Sequence, residues 1–164
     1  MAELDPVVDQ LRAASAELLR LRPRVEAGEP WPLAERFGTE PEAAWGPREL
    51  LAHVAEMLPY WLGELERILA GPPPAPFGRV ADDTVRIGII GRDRSLPLRE
   101  LYDRIEADVS RYAARLPQLD ASEAARVGTH PTRGATTVQA MLERSVTGHL
   151  EEHVRQLRAI LEAV

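Results

Sequence analysis

The segment VQAMLERSVTGHLEEHVRQLRAI, residues 138–160, decides the fold. At helical spacing Val138, Leu142, Ser145, His149, His153, Gln156 and Ile160 fall on one face, so the middle of an otherwise apolar stripe carries three nitrogen-bearing side chains. Thr136 and Gln139 stand at capping-box spacing ahead of it, which predicts a helix running from there to the C-terminus.

Working outward, three further segments have helical periodicity. Asp5 and Pro6 open the first, with Val7, Leu11, Ala14, Leu18 and Leu21 on its apolar face and Pro23 expected to end it. Gly46-Pro47 opens the second, which carries Glu49 in its first turn, where the helix dipole favours negative charge, and reaches about Ala70 before Gly71 and three prolines. Its inward stripe is Leu50, His53 with Val54, Met57, Trp61, Leu65 and Ile68. Pro59 lies inside this stripe and cannot donate to the Ala55 carbonyl, so a kink is expected one turn beyond His53. The third helix starts near Ser95 to Pro97, shows Leu98, Leu101, Ile105, Val109, Tyr112 and Leu116, and ends at Pro117. Four amphipathic helices without a clear alternating strand run predict an all-α four-helix bundle with long loops between helices.

Residues 28–46, with Gly28, Pro30, Pro32, Gly38, Pro41 and Gly46, form one long connection, with at most a short turn around Leu33 to Arg36 and with Trp31 and Trp45 as its anchors. In residues 71–95, PPPAPFG is loop. ADDTVRIGIIGRD is either a short helix capped by Asp82 or Asp83 or a strand built on Val85, Ile87, Ile89 and Ile90.

The 164 residues suit a single domain, 1–164, whose core is mainly aliphatic because only 5% of residues are aromatic. A net charge of -6 disfavours nucleic acid as a partner. All 20 basic residues are Arg and there is no Cys, so lysine Schiff bases, thiolate nucleophiles, disulfides and thiolate metal ligands are excluded. No segment has the roughly 20 apolar residues of a membrane span, and MAELDPVVDQLRAA has no signal-peptide pattern; a cytoplasmic protein with no membrane partner is expected.

Chemistry concentrates on the histidines. His149 and His153, at i and i+4, place their Cβ atoms about 5–6 Å apart on one face, which lets two imidazoles converge on one ion. A solvated or core pair has the same spacing, but two buried histidines each need a partner, and one shared ion satisfies both. His53, on the inward stripe of the second helix, is the third candidate ligand; a core histidine bonded to a carbonyl is the competing reading. Three histidines leave ion positions for water or substrate. Histidine ligation suits several divalent metals: zinc is the default, with Ni, Fe or Mn as alternatives.

Trp45-Gly-Pro-Arg-Glu-Leu-Leu-Ala-His53, His130-Pro-Thr-Arg-Gly134 and Gly148-His149-Leu-Glu-Glu-His153-Val-Arg-Gln156-Leu157 together resemble the DinB-like superfamily, over nearly the whole chain. The resemblance implies down-up-up-down connectivity, frequent homodimerisation, and a divalent ion held by His53, His149 and His153. It also implies a metal-dependent thiol transferase using a mycothiol- or bacillithiol-type cosubstrate, or a hydrolase, acting on a small molecule. The alternative is a non-catalytic, metal-stabilised bundle that binds a small molecule or a stress-related partner. No catalytic residue is assigned at this level.

Around the histidines, Glu56 and Glu152, each three residues beyond a candidate ligand, are a fourth ligand, a partner for an imidazole N–H or a general base, against a surface position for each. Gln156, one turn beyond His153, is either a hydrogen-bond partner of a ligand histidine or a partner of a buried backbone carbonyl near the Pro59 kink. Asp83 and Arg86 form either a surface ion pair or, through the Arg fork, a grip on a substrate carboxylate. His130, before a proline, reads as structural or solvent-facing, and Trp61 as packing.

Overall fold

The computed structural model describes residues 2–35 and 44–164. Helices dominate: α1 Asp5–Ala27, α2 Pro47–Ala70, α3 Thr84–Asp93, α4 Leu98–Arg115, a short α5 Ala121–Ala124, and a C-terminal helix made of α6 Val138–Met141, a π-helical stretch Leu142–Gly148 and α7 His149–Glu162. The four long helices form an all-α bundle. α1 packs on α4 and α7, and α2 packs on the same two, so α1 and α2 sit diagonally across one core. That diagonal explains the long 28–46 connection, since successive helices that are not neighbours cannot be joined by a tight turn.

Several helix ends differ from their sequence signals. α1 begins at Asp5 with Leu4 as its cap residue, and the Asp5 carboxylate instead accepts the Ala2 N–H at 2.8 Å. Pro23 does not end α1, which runs on to Ala27. The lost proline N–H removes one rung, and burial of Val25, whose carbonyl accepts Trp31 Nε1–H at 2.7 Å, outweighs it. α2 is one helix from Pro47 to Ala70 through Pro59, which is solvent-exposed, and the Leu58 carbonyl is held by the Tyr112 hydroxyl at 2.6 Å.

Trp31 and the buried Trp45 both pack on the core, as anchors should. Residues 33–35 form no helical turn; Arg36, Gly38 and Pro41 lie outside the described residues. Glu49 does more than favour the dipole: fully buried, its Oε1 accepts the N–H of Gly46 and of Ala34, tying the connection to α2.

The ambiguous ADDTVRIGIIGRD segment, residues 81–93, is helical from Thr84 to Asp93. Asp83 caps α3 by accepting the Arg86 backbone N–H at 2.9 Å. The strands lie elsewhere, where none was expected: β1 Ala75–Pro76 pairs in parallel with β2 Val127–His130, which pairs antiparallel with β3 Gly134–Thr137. These strands are two to four residues long and polar, too short for a period-2 signal to stand out. The ribbon carries Phe77–Arg79 and His130–Arg133 across one end of the bundle. Gly78 permits this: its φ is +84°, and a Cβ there would collide with the His130 ring. Among the described residues no helix is long and apolar enough to cross a membrane.

The C-terminal helix is capped by Thr137, one residue later than expected, its hydroxyl accepting the Ala140 N–H at 3.1 Å. Within the π stretch a Cβ on Gly148 would lie 2.8 Å from the Glu143 carbonyl oxygen, five residues back. Gly148→Ala must push that turn open, with an expected loss of about 1–3 kcal/mol in thermal or denaturant unfolding. A stability unchanged within about 0.5 kcal/mol would show that the turn yields freely.

Candidate metal centre

α2 presents His53, and the first and second turns of α7 present His149 and His153. The packing of α2 on α7 brings the three rings together. His53 Nε2 and His149 Nε2 are 3.3 Å apart, and one ligand nitrogen from each of the three histidines lies within 4.8 Å of the others. The rings of His149 and His153 stack at 4.6 Å, with that of His53 edge-on to His153 at 4.8 Å, and the buried Trp45 closes the side nearest His53. Spacing singled out His149 and His153, the inward stripe of the second helix singled out His53, and the fold gathers the three.

Hydrogen bonding sets which nitrogens face inward. His153 Nδ1 lies 3.0 Å from Gln156 Oε1, an acceptor, so its proton belongs on Nδ1 and the lone pair on Nε2. His53 Nδ1 lies 3.5 Å from Glu56 Oε2, a charge contact without a hydrogen bond, whose carboxylate favours the proton on the same Nδ1 side. His53 Nδ1 and His153 Nε2 are both buried with no hydrogen-bond partner among the described residues, while His53 Nε2 and His149 Nε2 meet each other. Imidazole nitrogens gathered in this way are the donor set a divalent cation needs, because two nitrogens each about 2.0–2.1 Å from one ion cannot be more than about 4.2 Å apart. The 3.3 Å pair meets that limit.

All three imidazoles are held neutral. Burial pushes His53 well below its usual range, helped by the charges of His153, Arg86 and Arg79. Burial, with His53 and His153, pushes His149 down to about 2, and burial pushes His153 down to about 4 although Gln156 opposes it. Neutral imidazole is the metal-binding form, so no proton must leave at pH 7.

The surroundings correct two expectations. Glu56 is buried, not on the surface; its Oε2 accepts from Arg79 Nη2 at 2.8 Å while Oε1 accepts from Nη1, a two-pronged pair that holds the carboxylate against His53. Arg86 is also buried, donates from its guanidinium to the Ala81 carbonyl at 2.9 Å, and lies 5.7 Å from the Trp45 ring. Asp83 serves the helix cap. Glu152 is exposed, as expected, and Gln156 sits on His153. His130 stands outside the trio: its Nδ1 accepts the backbone N–H groups of Thr132 and Arg133, fixing the β2–β3 turn.

A cavity of about 300 Å³ opens over His53 and His149, walled by Trp61, Arg79, Arg86, His130, Ser145 and Glu152, with Arg133 and Arg144 at the same wall. Arg79, Arg133 and Arg144 carried no signal as site residues. Arg144 is hidden by helix phase: five residues before His149, it sits about 140° away on an α-helical wheel. The intervening π stretch, whose hydrogen bonds run i→i+5, brings residues five apart nearly into line. A glycine immediately before the first histidine was the one available hint.

The sequence model of the DinB superfamily matches residues 1–157. Among solved structures, YfiT from Bacillus subtilis, described as a probable metal-dependent hydrolase with an unusual four-helix bundle topology, superposes with a TM-score of 0.78 at 15% identity, covering 99% of this chain and 89% of that one. At that identity the likeness is one of fold. No curated protein matches the chain in sequence.

Proposed function

The chain belongs to the DinB superfamily, and from that premise we propose that it binds one divalent metal ion through His53, His149 and His153 and acts as a metal-dependent hydrolase or thiol transferase on a small molecule. The observation that carries the reading is the tautomer arrangement: Gln156 and Glu56 occupy the Nδ1 sides of His153 and His53, which leaves the Nε2 atoms facing one another. A core cluster serving only packing would have no reason to leave a buried imidazole nitrogen bare. The fold likeness to YfiT, itself described as a probable metal-dependent hydrolase, supports the same reading.

When bound, a divalent ion supplies Lewis acidity, polarising a substrate oxygen and lowering the pKa of a water or thiol. The chain's own groups do the rest. Glu56, gripped by Arg79, fixes the His53 ring, and Gln156 fixes His153. Trp45 and Trp61 exclude bulk water from the inner wall, both being nearly fully buried. Glu152 lines the cavity mouth with no hydrogen bond or ion pair among the described residues, which suits it to accept the proton of the attacking nucleophile. The chain has no Cys, so a thiolate nucleophile comes from a low-molecular-weight cosubstrate in the transferase form of the reaction. Zinc is the expected ion, in a homodimer of the cytoplasm in keeping with the family resemblance.

The test is elemental analysis of untagged protein after metal-free dialysis and readdition of Zn, Ni, Mn or Fe, native against the His53/His149/His153 triple alanine variant. About one ion per chain in the native protein and none in the variant is expected; no ion in either overturns the reading. With turnover in hand, Glu152→Gln should lower kcat by about 10²-fold or more with metal content unchanged. An unaltered kcat removes Glu152 from the proton path.

A further inference from the structure

Four arginines line the cavity over the histidines, in a protein whose net charge is -6. Their commitments differ. Arg79 is matched by Glu56 and lies 3.8 Å from the Tyr60 ring centroid. Arg86 is buried and bonded to the Ala81 carbonyl. The guanidinium of Arg133, in the turn between β2 and β3, donates among the described residues only to a neutral group, the Ser145 hydroxyl at 3.2 Å. Arg144 is solvent-exposed and makes no hydrogen bond or ion pair among the described residues.

Arg133 and Arg144 face the same space, lining both this cavity and the pocket adjoining it behind His130. Burial, with the Arg144 charge beside it, lowers the Arg133 guanidinium below its usual range, and burial, with both arginines, lowers His130. Arginines on the outer helix faces behave otherwise, with Arg111, Arg115 and Arg158 each seated on a carboxylate, Asp108, Glu66 and Glu17. Two adjacent guanidinium groups without a carboxylate repel one another and are stabilised by any anion that enters between them.

The local devices that hold this pair are specific. Ser145 orients Arg133, the His130 bond to the Arg133 backbone N–H sets the turn, and the π stretch swings Arg144 to the histidine side. A cavity of about 300 Å³ is at the small end for ligand sites. We propose that Arg133 and Arg144 dock the oxyanion group, a carboxylate or a phosphate, of a small organic anion whose other end reaches the histidine cluster. The positive mouth on an acidic protein also concentrates such an anion at the site. Which end of the ligand reacts rests on the metal reading above; the anion dock itself does not.

The test therefore uses metal-free, chelator-treated full-length protein, titrated calorimetrically at low ionic strength with succinate, methyl phosphate and the neutral succinamide. Saturable binding of at least one anion and none of succinamide is expected, and the tighter of the two anions identifies the group. Arg133→Gln and Arg144→Gln should each weaken it about tenfold or more, the loss of a charge-assisted contact, while Arg99→Gln, on the exposed face of α4, leaves it unchanged. Arg144 is exposed, so its variant keeps the fold and carries the test if Arg133→Gln does not. No binding of either anion, equal binding of succinamide, or wild-type affinity in Arg144→Gln overturns the proposal. Anion binding without metal uptake in the elemental analysis would sink the metal reading alone, and metal uptake without anion binding would sink the dock alone.

Discussion

Acidifying the metal-free protein from pH 6.5 to pH 5 should destabilise it by about 3–6 kcal/mol. An unfolded histidine takes up a proton near pH 6.5, whereas His53, His149 and His153 stay neutral in the folded chain, with His149 held down to about 2 and His153 to about 4. Below pH 6.5 the unfolded state thus binds more protons than the native one, and stability falls as pH falls. Each such group contributes a slope of about 1.4 kcal/mol per pH unit, so the three give at most about 4 kcal/mol per unit, and mutual coupling and water entry, set against a smaller share from the lowered His130, bring the expected slope to about 2–4. The carboxylates held low, Asp93 and Asp120, titrate below their usual value of 3.8 and leave this window clear. Chemical denaturation at pH 7, 6 and 5 measures the slope. Replacing the three histidines by alanine should flatten it, and a flat profile in the native chain would mean that the rings are hydrated and charged.

The bundle was legible in the sequence because its helices are long and periodic: α1, α2 and α4 bury the residues their stripes name, whereas the C-terminal stripe holds only as far as the π stretch, beyond which His149, Gln156 and Ile160 are half-buried and α7 buries Leu150, Val154, Leu157 and Leu161 beside His153. What was not legible has local causes. Pro23 is a strong stop signal overridden by tertiary burial of Val25. The three-stranded ribbon is held by pairing between segments far apart in the chain, Ala75 with Gly128, which no local pattern reports.

For the site, His149 and His153 could be read from spacing, since i, i+4 neighbours must share a helix face, and His53 from its place on the inward stripe of the second helix together with the family resemblance. Their supports could not. Glu56 and Arg86 looked like surface charges because burial of a charged side chain depends on a partner that only the fold supplies: Arg79 for Glu56, from a loop 23 residues on. Arg144 fell on the wrong side of an α-helical wheel, and only the π stretch returns it to the cavity. The whole-chain charge of -6 likewise concealed a positive mouth, because a net charge is a sum and a site is a place.

Removing the Glu56 carboxylate should be among the most damaging single changes in the protein. Glu56→Ala leaves the Arg79 guanidinium nearly buried, its side chain only 9% exposed, without its counter-charge, and breaking one side of a buried ion pair costs about 3–5 kcal/mol. Stacking of Arg79 on Tyr60 keeps the guanidinium from swinging freely to solvent, so little of that cost is recovered. The same change frees the His53 ring, 3.5 Å from Glu56 Oε2, and loss of such an orienting carboxylate lowers metal affinity about 10–100-fold. Glu56→Gln separates the two roles. It keeps an oxygen for the His53 Nδ1 proton but loses the charge Arg79 needs, so stability should fall while most of the metal affinity survives. Adding Arg79→Met to Glu56→Gln should restore stability, by removing the stranded charge, without restoring what Glu56→Ala costs in metal binding. Should Glu56→Ala unfold at the same denaturant concentration as the native chain, the pair is solvated and His53 is oriented by something other than Glu56.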